Sequence, residues 1–171
     1  MNKLLTFCMV AAGLAIGQAA WAQSAVTSTL VAQRVDMVDG KPVLKPAVQS
    51  KPGDIIEYSS TYKNGGASAA EKLLATVPVP AGTTLIAGSA QPAQALASTD
   101  GVAFAPMPLM RSVRQPDGSQ RSEAVPLADY RALRWNVGTL AAAGGSAVVS
   151  LRVRIDSAAI AAPAVKPTSK P

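Results

Sequence analysis

Apolar side chains recur at every second residue in several stretches of this chain, and each stretch is bounded by residues that favour turns. Ile56, Tyr58 and Tyr62 share one parity, while Glu57, Ser59, Thr61 and Lys63 share the other. Leu133, Trp135 and Val137, with Arg131, alternate with Arg134 and Asn136. Ala147, Val149, Leu151, Val153 and Ile155 alternate with Val148, Ser150, Arg152 and Arg154. A period of two sends successive side chains to opposite faces of an extended strand, so each stretch predicts a strand with one buried face. Short strands at turn-marked spacing predict an all-β chain built as two packed layers.

The rest of the chain fits that scheme. Val31, Val35 and Met37 alternate with polar or small residues over 26–38 and predict an entry strand, turned by Asp39-Gly40. Pro42, Pro46 and Pro52 make 41–51 an extended edge segment, where a missing N–H costs no central ladder bond. Asn64-Gly65-Gly66 tolerates positive φ and predicts a tight reversal after the strand over 54–63. Leu73, Ala75 and Val77 form the next core-facing set; a helix over 67–75 is the rival, disfavoured by the glycine pair before it and the prolines after it. Thr83–Ile86 suits a short strand, and Asp100-Gly101 and Asp117-Gly118 predict hairpins within the proline-punctuated stretch 90–127. The last two alternating segments are expected to pair with each other through the loop Gly138–Gly145.

The turn chemistry carries a resemblance. Lys51-Pro52-Gly53-Asp54 before a strand, Asn64-Gly65-Gly66 after it, Pro80-Ala81-Gly82-Thr83, and Gly144-Gly145-Ser146 before the final strand are similar to the bacterial conserved-repeat surface domain, domain of unknown function eleven. The resemblance spans roughly Val48 to Asp156, and its motifs are mostly turns. Thr76-Val77-Pro78 stands where members often have an Asp before Leu-Pro, and the stretch 90–127 is long. The resemblance implies an immunoglobulin-like antiparallel β-sandwich of about seven to nine strands and implies no activity.

Asn2-Lys3, the apolar run Leu4–Ile16 and Ala20-Trp21-Ala22 have the order of a secretory signal, cleaved after Ala22. The run is shorter than the roughly 20 apolar residues of a membrane span, so no span is expected after cleavage. Cys8 follows Phe7 and reads as signal filler rather than a lipidation site. Domain boundaries follow: 1–22 signal peptide, 23–156 sandwich, 157–171 a disordered Ala/Pro/Lys tail too poor in large apolar groups to offset ordering entropy. The processed chain has no cysteine, so an exported domain must be held by its core alone. Losing Lys3 lowers the net charge from +6 to +5. That balance favours anionic surfaces, while the lack of a basic run argues against nucleic acid.

Little of the composition supports catalysis. Histidine is absent, which removes the commonest general base and transition-metal ligand, and neither a metal nor a cofactor is expected. Ser60-Thr61-Tyr62-Lys63 has the Ser-x-x-Lys spacing of penicillin-binding enzymes, yet in a strand its two ends face opposite ways. Asp36 and Asp39 lack the ligand density of a calcium loop. Lys63, Asn136 and Glu57, a conceivable isopeptide trio, all point outward by parity. Pairing of the last two strands would put Arg134, Arg152 and Arg154 on one outer face, a candidate anion-binding face, with Arg111, Arg114, Arg121 and Arg131 in or near adjoining loops.

The expectation is a periplasmic or secreted, non-enzymatic structural or interaction module of the cell envelope. It would contact a protein partner by sheet edges or loops. The alternative is binding of an anionic envelope polymer or lipid headgroups by the arginines. Amino-terminal sequencing of the exported product checks the first step: the chain should begin at Gln23, and a product retaining Met1 would contradict export by this route.

Overall fold

Eleven strands and one 3-10 turn make up the computed structural model, which describes residues 25–157. The expectations for the signal peptide, and for the tail beyond Ser157, lie outside the described residues. In chain order the strands are β1 (Val26–Val38), β2 (Lys41–Pro46), β3 (Ile55–Asn64), β4 (Ala70–Pro78), β5 (Thr83–Leu85) and β6 (Leu96–Ser98). Then follow β7 (Ala105–Pro106), β8 (Met110–Arg114), β9 (Gln120–Ala124), β10 (Ala132–Leu140) and β11 (Ser146–Ile155). A five-stranded antiparallel sheet has the order β2-β1-β3-β11-β5, and a four-stranded one the order β4-β10-β6-β7; β8 and β9 form a separate hairpin. The two larger sheets pack as an antiparallel β-sandwich.

Period-two burial holds across the core. Ile56 on β3, Ala75 and Val77 on β4, Leu133 and Trp135 on β10, and Val149, Leu151 and Val153 on β11 are all buried in one cluster, with Tyr58 and Tyr62 packed against it. The segment 70–78 is strand rather than helix, with Val77 opposite Leu133 and Ala75 opposite Trp135. Irregular pairing on either side of the Gly138–Leu73 pair, with positive φ at Lys72 (φ 54) and Gly138 (φ 80), accommodates its start. Trp135 buries its ring and still donates Nε1–H to the Pro92 carbonyl at 2.6 Å, the partner a buried indole needs. Both Asp-Gly hairpins form, joining β6 to β7 and β8 to β9.

One expectation is corrected. β10 and β11 do not pair: they lie in different sheets, and their apolar faces meet across the core. Two alternating strands joined by a short loop satisfy the same periodicity whether they fold as a hairpin or as an arch between sheets. Here the arch wins, because β11 is taken by β3 and β10 by β4.

The reversal after β3 is also an arch, from the five-stranded sheet to β4 in the other. Positive φ is not what Asn64, Gly65 or Gly66 supply there. Asn64 is fully buried, and the two protons of its side-chain amide are shared among the carbonyls of Ser68 (2.9 Å), Leu140 (3.2 Å) and Ala141 (3.1 Å). Its Oδ1 accepts the Gly66 N–H at 3.0 Å. The backbone joins in: Asn64 N–H donates to Gly145 O, Gly144 N–H to Asn64 O, and Ala143 N–H to Gly66 O. One side chain thus ties the β3–β4 arch to the β10–β11 arch. Gly145 is required for the same closeness, since a Cβ there would run into the backbone of Ala141.

Asn64→Ala should strand several buried polar groups at once and destabilise the fold by about 2–4 kcal/mol. Gly145→Ala should also destabilise, through that backbone clash. Urea unfolding checks both, and a change within about 0.5 kcal/mol for either would contradict the arrangement.

Candidate functional site

The three arginines singled out from sequence do not share a face. Arg152 and Arg154 project from the outer side of the five-stranded sheet, whereas Arg134 projects from the outer side of the four-stranded sheet, across the sandwich. Arg134 stacks over the Phe104 ring at 3.6 Å from its centroid and donates Nε–H to Thr76 Oγ1 at 3.1 Å. Arg152 donates Nε–H to Glu57 at 2.8 Å, a cross-strand ion pair between β11 and β3. Arg111 is engaged by Glu123 at 2.7 Å on the β8–β9 hairpin. The sequence implied a joint arginine surface only because it implied that β10 pairs with β11.

The other candidate chemistries come apart in the same way. Ser60 is buried while Lys63 is exposed on the opposite face. Glu57 and Lys63 lie on the outer side of one sheet and Asn136 on the outer side of the other. Asp36 is held by Arg34 Nε at 2.8 Å and Lys45 Nζ at 2.9 Å, so cations occupy its carboxylate. Among the described residues no three His, Cys, Asp or Glu side chains gather where a metal ion could sit. The Asp100 carboxyl is held below its ordinary value by the Val102 N–H and then by Ser98 Oγ, which makes it the organiser of the turn between β6 and β7.

What the structure does display is an apolar surface on the β1–β2 hairpin. β1 pairs with β3 only from Val26 to Arg34, and with β2 from Gln33 to Val38. From Arg34 to Val38 the hairpin therefore runs on past the end of β3 for about 13 Å. The register puts Val31, Val35 and Met37 on the same side as Pro42, Leu44 and Pro46, and continuity with Ser59 and Ser150 makes this the outer side. Met37 is 66% exposed, Val31 46% and Leu44 40%. The reverse side carries Val38 and Val43, both exposed, beside the Arg34–Asp36–Lys45 cluster. The apolar alternation of β1 thus faces solvent. Its signal was present in the sequence, since Arg34 and Asp36 occupy the inward parity.

The edges of the sheets are closed to strand addition where it would be easiest. Asp39 (φ 51) and Gly40 (φ 74) form a two-residue turn, so Val38 and Lys41 make the hydrogen-bonded closing pair. Alternation then aims the backbone groups of residues 42, 44 and 46 at the free edge. Pro42 and Pro46 sit at two of these positions and offer no N–H. On the edge strand β4, Pro78 does the same, and the Tyr62 hydroxyl occupies Thr76, accepting its N–H at 3.2 Å and donating to its carbonyl at 3.3 Å.

Among the described residues no helix is long and apolar enough to cross a membrane. Comparison with family models, with curated proteins and with solved structures finds no match for this chain.

The hairpin cluster is pH-sensitive in a defined direction. Hydrogen bonds from Arg34 and then Lys45 pull the Asp36 carboxyl from 3.8 down to about 2. A depressed folded-state value means the stabilisation is complete above pH ~4 and is lost as pH falls toward ~2. Carbon-13 titration should place the Asp36 midpoint near the lower end of that window, with β2 amides losing exchange protection through it. Asp36→Asn should remove that step, and an ordinary midpoint would contradict the cluster.

Proposed function

We propose that this chain is an exported, non-enzymatic interaction module of the cell envelope, periplasmic or secreted. Its partner surface is the outward apolar side of the β1–β2 hairpin. The observation that carries this reading is the set Val31, Val35, Met37, Pro42 and Leu44, gathered on one side of a projecting hairpin. An apolar set of this kind, edged by Gln33 and with the charged residues kept to the reverse side of the hairpin, is the composition of a contact surface. The blocked edges direct the contact to side chains, so the partner engages this side rather than extending a sheet. Loss of the signal peptide and secretion are the compartmental part of the proposal, supported by the leader.

Anion binding is the weaker reading. Arg134 is across the sandwich and Arg152 is paired with Glu57, which leaves Arg154 as the uncommitted guanidinium on the outer side of β11. One experiment separates the two. A photo-crosslinking residue at position 46, beside Leu44, should capture a discrete adduct in living cells. Met37→Lys with Leu44→Lys should lower its yield about tenfold or more without changing thermal stability, because both side chains are exposed. The adduct should be insensitive to Arg152→Glu with Arg154→Glu and to ionic strength. Adduct formation that collapses with salt and ignores the hairpin substitutions would reject the apolar surface in favour of the arginines.

A further inference from the structure

Asn64 is followed by Gly65, and no other asparagine in the sequence has glycine after it. Attack of the Gly65 backbone nitrogen on Asn64 Cγ would close a five-membered ring, and glycine, with no Cβ, leaves that approach unobstructed. In this fold every atom of the reaction is held elsewhere. Gly65 N–H donates to Ala25 O at 2.8 Å. The Asn64 Nδ2 protons are shared among the carbonyls of Ser68, Leu140 and Ala141, and Oδ1 accepts the Gly66 N–H at 3.0 Å. The residue is fully buried, so the water that such a reaction consumes does not reach it. Asn136 is the contrast: it is exposed, but it precedes the β-branched Val137, whose side chain crowds the same approach.

We propose that Asn64-Gly65 is a site of spontaneous deamidation that the fold holds shut and unfolding opens, and that the modification makes unfolding irreversible. The bond from the Gly65 nitrogen to Asn64 Cγ forms, the Cγ–Nδ2 bond breaks, the Gly65 proton passes to the departing nitrogen, and ammonia leaves a succinimide. One water then opens the ring at either carbonyl, giving aspartate or isoaspartate at position 64 with no oxidation or reduction. Neither product fits the corner. A carboxylate has no proton to give, so it would set a buried negative charge against the carbonyls of Ser68, Leu140 and Ala141, and isoaspartate also lengthens the backbone by one carbon. Under native conditions the reaction therefore runs only through the opened fraction of molecules, and each modified molecule is lost to the folded pool. This inference stands independently of the hairpin and its partner.

The test incubates the protein in mildly alkaline buffer, folded or in urea, and follows the peptide containing Asn64 and Gly65 by mass spectrometry. In urea that peptide should acquire the mass change of an amide turned carboxylate, and in the folded protein the same change should be at least about a thousandfold slower. Asn136 should change far more slowly in urea, and isomerisation at Asp39, Asp100 or Asp117, each before a glycine, leaves the mass unaltered. On return to native buffer the refolded fraction should retain Asn64, and the fraction that fails to refold should carry the modified residue. Gly65→Ala places its Cβ at 3.8 Å from the nearest atom, Ala25 O, an ordinary contact, so it should fold. It should keep its refolding competence through an incubation in urea that removes most of it from the unaltered protein. Similar rates in the folded and unfolded protein, a refolded fraction with a native melt that carries the modified residue, or equal loss of refolding in Gly65→Ala would each overturn the proposal. Should Gly65→Ala not fold, the partition of the modified residue between refolded and unrefolded protein still decides it.

Discussion

The buried amide of Asn64 is the contact on which the two-layer arrangement rests. β3 lies beside β11 and β4 lies beside β10, so the β3–β4 and β10–β11 connections are two neighbouring arches that both cross between the sheets. Arches expose backbone carbonyls at a sharp corner, and inside a sandwich those carbonyls have no water to turn to. Asn64 shares its two amide protons among three of them and accepts from Gly66, which fixes the spacing of the sheets at that end. No cysteine is present in the described residues to do this covalently. The apolar core supplies the non-directional part of the stability; the amide supplies the register.

That arrangement explains how the chain can present an apolar surface without inviting its own polymerisation. Prolines and a tyrosine hydroxyl close the backbone edges of β2 and β4, so the hairpin offers side chains and few free donors. Ion pairs are local: Glu57 with Arg152, Glu123 with Arg111, Asp36 with Arg34 and Lys45. Exposed pairs of this kind contribute little to stability.

Much of the fold was legible in the sequence, for reasons that can be traced residue by residue. Tyr58, Trp135 and Leu151 announced buried faces through parity, Asp100-Gly101 and Asp117-Gly118 announced hairpins, and Pro42 with Pro46 announced an edge. Which sheet each strand joins was not legible. The alternation around Trp135 and that around Leu151 are blind to whether the two apolar sides lie beside each other or opposite each other, and the arginine surface failed on that ambiguity. Asn64 was read as a turn former because an Asn before two glycines carries no mark of burial; its role depends on carbonyls 76 and 77 residues away.

Native-state hydrogen exchange in low denaturant tests the joined arches most directly. The amides of Asn64, Ala143 and Gly144, which bond across the corner, should open only with the whole molecule. They should share the free energy and denaturant dependence of Leu151 and Trp135 in the core. Exchange at the corner through a separate local opening, orders of magnitude faster than in the core, would contradict the claim that one buried asparagine holds the two sheets in register.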